Sequence, residues 1–208
     1  MQRTHSEHLA TMPLPDPALL KDFQLQDTQT SSRGAKTAQL SGHIGAKLML
    51  SFGSEPSPSS TPFGATNYND EASVRKTLDL RLNDDELTFF QELDAWAVEY
   101  LSKNSERLFK KAATQDQVRE HYKSPVAVKE GYQPLVRCKV NTSGQYAVRC
   151  WNTDRERIEM PSDLRGCQLI ANAQLSHLWM MGRDFGWVIT VQDLMVLSEE
   201  SSACPFMH

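Results

Sequence analysis

Long apolar runs are missing from this 208-residue sequence. Nowhere do about 18 apolar residues follow one another, so no transmembrane helix is expected. The opening residues, MQRTHSEHLATMPLP, lack the apolar middle of a secretory signal, and the expectation is an intracellular protein with no membrane partner. Cysteine is scarce and scattered. Cys138, Cys150, Cys167 and Cys204 stand at wide, irregular spacings with no Cys-x-x-Cys pair. Zinc sites bring their ligands as closely spaced pairs, so no metal site is expected. Adding His177 makes a Cys-Cys-Cys-His set by composition only, which no spacing favours. Cys138, Cys150 and Cys167 sit in strand-like apolar runs and read as buried, reduced thiols. Catalytic signatures are missing as well. No Walker loop, Gly-x-Ser-x-Gly, His-Glu-x-x-His or dinucleotide glycine fingerprint occurs. His43, His121 and His177 lack an acid or nucleophile at an informative spacing, and Asp94 and Glu99 read as solvated helix acids. No catalytic residue, enzymatic activity or cofactor is expected.

Basic charge is short overall and unevenly spread. The net charge is −4, yet residues 101–139 carry 9 Lys/Arg against 4 Asp/Glu. Residues 1–100 carry 8 against 14, and residues 140–208 carry 5 against 8. A positive stretch of +5 between portions of −6 and −3 is what an anion-binding stripe on an acidic protein looks like. A solvated helix-and-loop face would have the same composition.

The length suits one domain with tails. Residues 1–32 read as a flexible segment, because Pro13, Pro15 and Pro17 argue against a regular early element. Residues 33–197 form the expected domain and 198–208 a short tail. Ile44–Phe52 reads as a first strand, and Gly53–Thr61 as a loop closed by Pro62-Phe63-Gly64, with Phe63 as an anchor. Val74–Leu82 alternates as a half-exposed strand. The main helix is expected over about 83–103, with Asn83 and Glu86 as a capping box and an apolar stripe of Leu87, Phe90, Leu93, Ala97 and Leu101. Asn104-Ser105 separates it from a second helix, and Gln115–His121 offers a further turn. Leu135–Val140 and Gln145–Trp151 read as a hairpin about the turn NTSG. The stretch Gly166–Val196, GCQLIANAQLSHLWMMGRDFGWVITVQDLMV, carries the strongest pattern. Leu175, His177, Trp179 and Met181 share one parity before a glycine-bounded turn, and Phe185, Trp187, Ile189 and Val191 share one after it. This predicts a long hairpin closing a barrel.

Four pieces together carry a resemblance: Pro62-Phe63-Gly64, the helix LTFFQELDAWAVEYLSKNSERLFKK, the segment from Tyr122 through Pro134 to Lys139, and the end motif LWMMGRDFGWVITVQDLMV. Over about residues 30–197 the sequence resembles the OB-fold single-stranded DNA-binding proteins of tailed phages and of large nucleo-cytoplasmic DNA viruses. The end motif is the most specific piece, and none alone is diagnostic. The resemblance implies an α+β fold, mainly β: a five-stranded OB-fold-like barrel with additional strands and one inserted main helix. It implies a non-enzymatic protein that coats and protects single strands in replication, recombination or repair. Replication proteins (a polymerase, a helicase or primase), homo-oligomerisation, and a nuclear or viral replication compartment belong to the same implication. Phage members end in a long acidic tail with a terminal aromatic. This chain ends LSEESSACPFMH, with only Glu199, Glu200 and Phe206 to match.

Single-strand binders pair a basic groove with aromatics on which bases stack. Here the interleaved residues are Lys110, Lys111, Arg119, Tyr122, Lys123, Lys129, Tyr132, Arg137, Lys139, Tyr146, Arg149 and Trp151. Arg137 and Lys139 share one strand face, as do Arg149 and Trp151. Two readings stand: a nucleic-acid platform built on these residues, or an OB-like module that binds protein and uses its surface bases for solubility.

Overall fold

The structure, a computed structural model, describes residues 14–31, 34–67 and 72–198. The main strands and helices are β1 (Lys36–Ser41), β2 (Leu48–Phe52), β3 (Arg75–Arg81), α1 (Asp84–Lys103), α2 (Ser105–Phe109), α3 (Gln115–His121), β4 (Tyr122–Lys123), β5 (Leu135–Asn141), β6 (Arg149–Trp151), β7 (Gln168–Met181) and β8 (Asp184–Ser198). Two-residue strands fringe them. The fold is α+β and mostly strand, as expected.

β7 and β8 form the predicted hairpin, antiparallel from Gln168↔Ser198 to Met181↔Asp184. Gly182, at φ 61, supplies the left-handed turn conformation. Each long strand serves several shorter ones. On its free edge β7 pairs in succession with Ser59–Ser60, β2 and β1. β8 pairs in parallel with β4, β5 and β6. β5 runs antiparallel to β3 along its whole length. Among the described residues the result is one open, hydrogen-bonded sheet of 14 strand segments, where a five-stranded OB-fold-like barrel with additional strands was expected. Loops rich in Pro, Ser and Gly break the partners of β7 into pieces, which multiplies strands without adding layers. Ser59 Oγ donates to the Arg81 carbonyl at 2.8 Å across the gap between the free edges.

Two further expectations are corrected. Leu135–Val140 and Gln145–Trp151 do not pair as a hairpin. Val148 N donates to the Asn141 carbonyl at 2.8 Å, so the chain leaves the line of β5, loops through 142–147 and resumes as β6, again parallel to β8. The second concerns β7. Leu169, Ala171, Ala173 and Leu175 are buried, but a register shift between Leu175 and His177 moves the buried set to Leu178. A bulge adds one residue and so exchanges the faces. His177, Trp179 and Met181 therefore leave the face that Leu175 occupies. On β8 the expected set, Phe185, Trp187, Ile189 and Val191, is buried together.

α1 lies against the inner face of this sheet. Its capping box forms as read, and Phe89, Phe90, Leu93, Ala97, Val98 and Leu101 are buried. Phe90 stacks on Phe52 of β2, and Trp96 stacks on Trp187 of β8 with centroids 6.0 Å apart. Burying this aromatic and aliphatic surface is the main stabilising term. Asp94 is half-buried rather than solvated. The N-terminal segment also packs here. Pro17 opens a 3-10 helix, Pro17–Asp22, where its fixed φ and missing N–H cost nothing. Leu20, Phe23 and Leu25 then bury against the core. β2 starts at Leu48 rather than Ile44, because Ile44 sits at φ 56 in a tight turn and is exposed.

Glu86 does more than complete the capping box. Its carboxylate is buried and accepts from Asn83 N at 2.8 Å and from Gly53 N at 2.9 Å, tying the helix start to the end of β2. Burial, more than these bonds, sets its pKa, which is raised. Glu86→Ala leaves two part-buried N–H groups without their acceptor, an expected loss of about 2–3 kcal/mol. Thermal unfolding should shift down by roughly 5–10 °C, measured by circular dichroism. An unchanged Tm would show that water replaces the carboxylate.

Candidate nucleic-acid interface

The outer face of the sheet carries an open groove of about 760 Å³. Its floor is the outward side of β3, β5, β7 and β8, and one wall is the segment 123–127 that follows α3. Phe63 stands on the rim, 46% exposed, and does not anchor its own loop. The lining holds four cations, Arg75, Lys123, Arg137 and Lys139, against a single acid, Asp79, a net of +3. Register explains the clustering. Arg137 lies opposite Asp79 and Lys139 opposite Thr77 across the β3–β5 ladder, while Val136, Cys138 and Val140 fill the core behind them.

The contacts are few. Arg137 Nε stands 3.3 Å from Asp79 Oδ1, and Lys139 Nζ donates to Thr77 Oγ1 at 2.9 Å. Burial lowers the Lys139 pKa, and Arg75 and Arg137 lower it further, with only Asp79 opposing. His177 is lowered as well, by burial and then by Arg75. Positive groups that hold down one another's protonation mark a site short of anions.

Aromatic surface completes the groove. The Trp179 ring lies over Gly186, where an added Cβ would come within 3.1 Å of the indole nitrogen and 2.5 Å of the Lys123 carbonyl. Glycine thus lets the ring lie flat on the backbone and lets β4 approach β8. Trp187 contributes a buried edge. Its indole N–H lies beside the Tyr122 hydroxyl without a hydrogen bond of good geometry.

Of the twelve basic and aromatic residues read from the sequence as a nucleic-acid platform, the groove gathers Lys123, Arg137 and Lys139. Arg149 and Trp151 do share an outward face, further along β8. Both are bound to Asp193, at 2.6 Å from Arg149 and 3.1 Å from Trp151. Lys111 lines a second cavity of about 540 Å³ between the helices and the β7–β8 tip. Lys110 ends α2 at φ 61 and donates to the Arg107 carbonyl. Arg119 pairs with Asp116 on α3. Lys129 covers the exposed Tyr132 ring at 4.9 Å, in a loop beyond the groove wall. Tyr122 is committed to the fold. Its ring packs on Phe185 and its hydroxyl donates to Asp94 at 2.6 Å. Burial raises the pKa of Asp94 and pushes that of Tyr122 well up. Arg75, His177 and Trp179 were each placed on a strand by sequence but not in the site. For the last two the missing signal was the bulge; for Arg75 it was the pairing of β3 with β5.

Cys138, Cys150 and Cys167 are buried, as expected, and burial pushes the Cys150 thiol up to about 11. Cys204 lies outside the described residues. Among the described residues no cluster of three or more metal-ligating side chains forms, and no helix is long and apolar enough to cross a membrane.

No protein-family model matches this chain, and no curated protein matches it in sequence. Among solved structures, gp2.5, a single-stranded DNA-binding protein encoded by bacteriophage T7, is similar at 11% identity and a TM-score of 0.45. That match covers 74% of this chain and 87% of the phage protein. The single-stranded DNA-binding protein from bacteriophage Enc34, solved in complex with single-stranded DNA, is similar at 12% identity and a TM-score of 0.45, over 85% of this chain and 97% of that one. A second structure of that phage protein gives 12% identity and a TM-score of 0.43, over 83% and 89%. None of these three structures comes from a large DNA virus. The groove, not these distant likenesses, carries the functional reading.

Tyr122→Phe should separate fold from binding at this site. Losing the bond to a half-buried carboxylate should cost about 1–2 kcal/mol. The unfolding midpoint should fall by a few degrees while anion binding by the groove stays unchanged. A loss of binding at unchanged stability would put the hydroxyl in the interface instead.

Proposed function

We propose that this chain binds single-stranded DNA in the groove, without strong sequence preference. The observation that carries the reading is the lining itself: four cations against one acid, with Trp179 and Phe63 beside them. Phosphates would lie along Arg75, Arg137, Lys139 and Lys123, and bases would stack on the Trp179 ring and against Phe63. Every base has a π face, so stacking tolerates sequence, while the phosphate contacts make affinity salt-dependent. In a cell this chemistry would coat and protect strands exposed in replication, recombination or repair, the role that the sequence resemblance implies.

Fluorescence anisotropy with a labelled oligo-dT and its duplex tests this. The oligonucleotide should exceed the roughly 4–16 nucleotides that one OB-type groove covers. The single strand should bind and the duplex should bind far more weakly. The log–log salt slope should be about −2 to −3 for three or four phosphates, at about −0.7 each. Trp179→Ala should weaken binding by about 1–3 kcal/mol, the worth of one stacked base. Arg75→Ala should flatten the slope by about 0.7. No binding at low salt would sink the proposal and leave the groove to a protein ligand.

A further inference from the structure

Two carboxylates pair with cations that line the groove, one from within it and one from beside it. Asp79 sits on the floor opposite Arg137, at 3.3 Å. Asp184, at the β7–β8 tip in the second cavity, stands 3.5 Å from Lys123 Nζ and 3.4 Å from His121 Nδ1, both at the α3–β4 corner. Charge-assisted bonds ordinarily close to about 2.7–2.9 Å. Elsewhere the pairs vary, from 2.6 Å at Arg149–Asp193 and Arg165–Asp163 to 3.2 Å at Arg107–Asp27 and 3.7 Å at Arg155–Glu55. At 3.3 Å for Asp79–Arg137 and 3.5 Å for Asp184–Lys123, these carboxylates stand beyond that range and hold their cations loosely. Meanwhile Arg75 and Lys139 have no carboxylate within ion-pair distance among the described residues; Lys139 rests on a hydroxyl.

We propose that Asp79 and Asp184 stand in for two phosphates of the bound strand, holding Arg137 and Lys123 until a nucleic-acid backbone displaces them. This rests on the groove reading above. The seat at Arg75 and Lys139 takes the first phosphate, since neither cation is ion-paired with a carboxylate among the described residues. The strand then exchanges with Asp79 at Arg137 and with Asp184 at Lys123, and its backbone runs from the β3–β5 ladder to the hairpin tip. One carboxylate and one phosphodiester each carry a single negative charge, so the exchange conserves charge at the cation. The strand prevails because its phosphates arrive tethered to one another and to stacked bases. The same exchange keeps the free groove from gripping stray anions and lets the strand leave.

The test uses the full chain with Asp79→Asn, Asp184→Asn and both together. Asp27→Asn is the control, because it removes an equal charge from an ion pair with Arg107 that lines neither cavity. Oligo-dT affinity is measured by anisotropy across a salt series, with apo Tm alongside. Each groove variant should tighten binding about three- to tenfold at moderate salt, the double variant further, with steeper salt slopes. Asp27→Asn should leave both nearly unchanged. Unchanged or weaker binding by Asp184→Asn and Asp79→Asn overturns the proposal and makes the carboxylates positioning groups. If Asp79→Asn lowers Tm, the exposed Asp184 decides alone. Tightening equal to that of Asp27→Asn also overturns it, as a global charge effect. If neither wild type nor any variant binds, both the groove reading and this inference fall.

Discussion

The β7–β8 hairpin is the constraint on which the rest of the molecule depends. It supplies the inner face against which α1 packs through Trp96 and Trp187. It also supplies the edge along which three separate strands dock in parallel. Its outer face forms part of the groove floor. One extra residue near Ser176 links these roles. Before the bulge, odd-numbered residues of β7 point into the core; after it, His177 and Trp179 point out. Without that insertion Trp179 would be core and the groove would lose its stacking surface. A register defect is thus the source of the site.

Electrostatics follows from the same geometry. Net charge says little about this protein's partners, because the chain is acidic overall while one face of one sheet is not. The cations of that face come from β3, β5 and the α3–β4 corner, which the fold brings together from distant stretches of chain. Burial lowers the basicity of Lys139 and His177, and neighbouring cations, Arg75 for both and Arg137 for Lys139, lower it further. An anionic ligand would relieve that repulsion, which gives its binding a favourable contribution beyond each direct contact.

Much of the fold was legible in the sequence where one local rule decided it. The capping box at Asn83, the helix Gln115–His121 and the buried alternation of Phe185 to Val191 emerged as read. What local pattern cannot carry is pairing. The NTSG segment has hairpin composition, yet β5 and β6 each dock on β8, which lies about fifty residues further on. Periodicity also assumes an unbroken register, so it assigned Trp179 and Leu175 to one face. Three of the four cations that line the groove, Lys123, Arg137 and Lys139, come from the basic stretch 101–139, but none comes from its helices. Lys110, Arg119 and Tyr122 are spent on capping, a helix ion pair and the Asp94 bond. Arg75, from an acidic portion of the chain, joins the site only through the β3–β5 ladder.

The excursion between β5 and β6 has a practical side. The chain leaves and rejoins the same line within a single hydrogen bond, from Val148 N to the Asn141 carbonyl, and its crown carries the exposed Tyr146. Such a loop is decoupled from the register of its flanks, since its ends already meet whatever lies between them. Residues 143–146 are therefore a natural graft point. A fluorophore, an affinity handle or a whole inserted domain could ride there, beside the sheet, without asking any strand to slide.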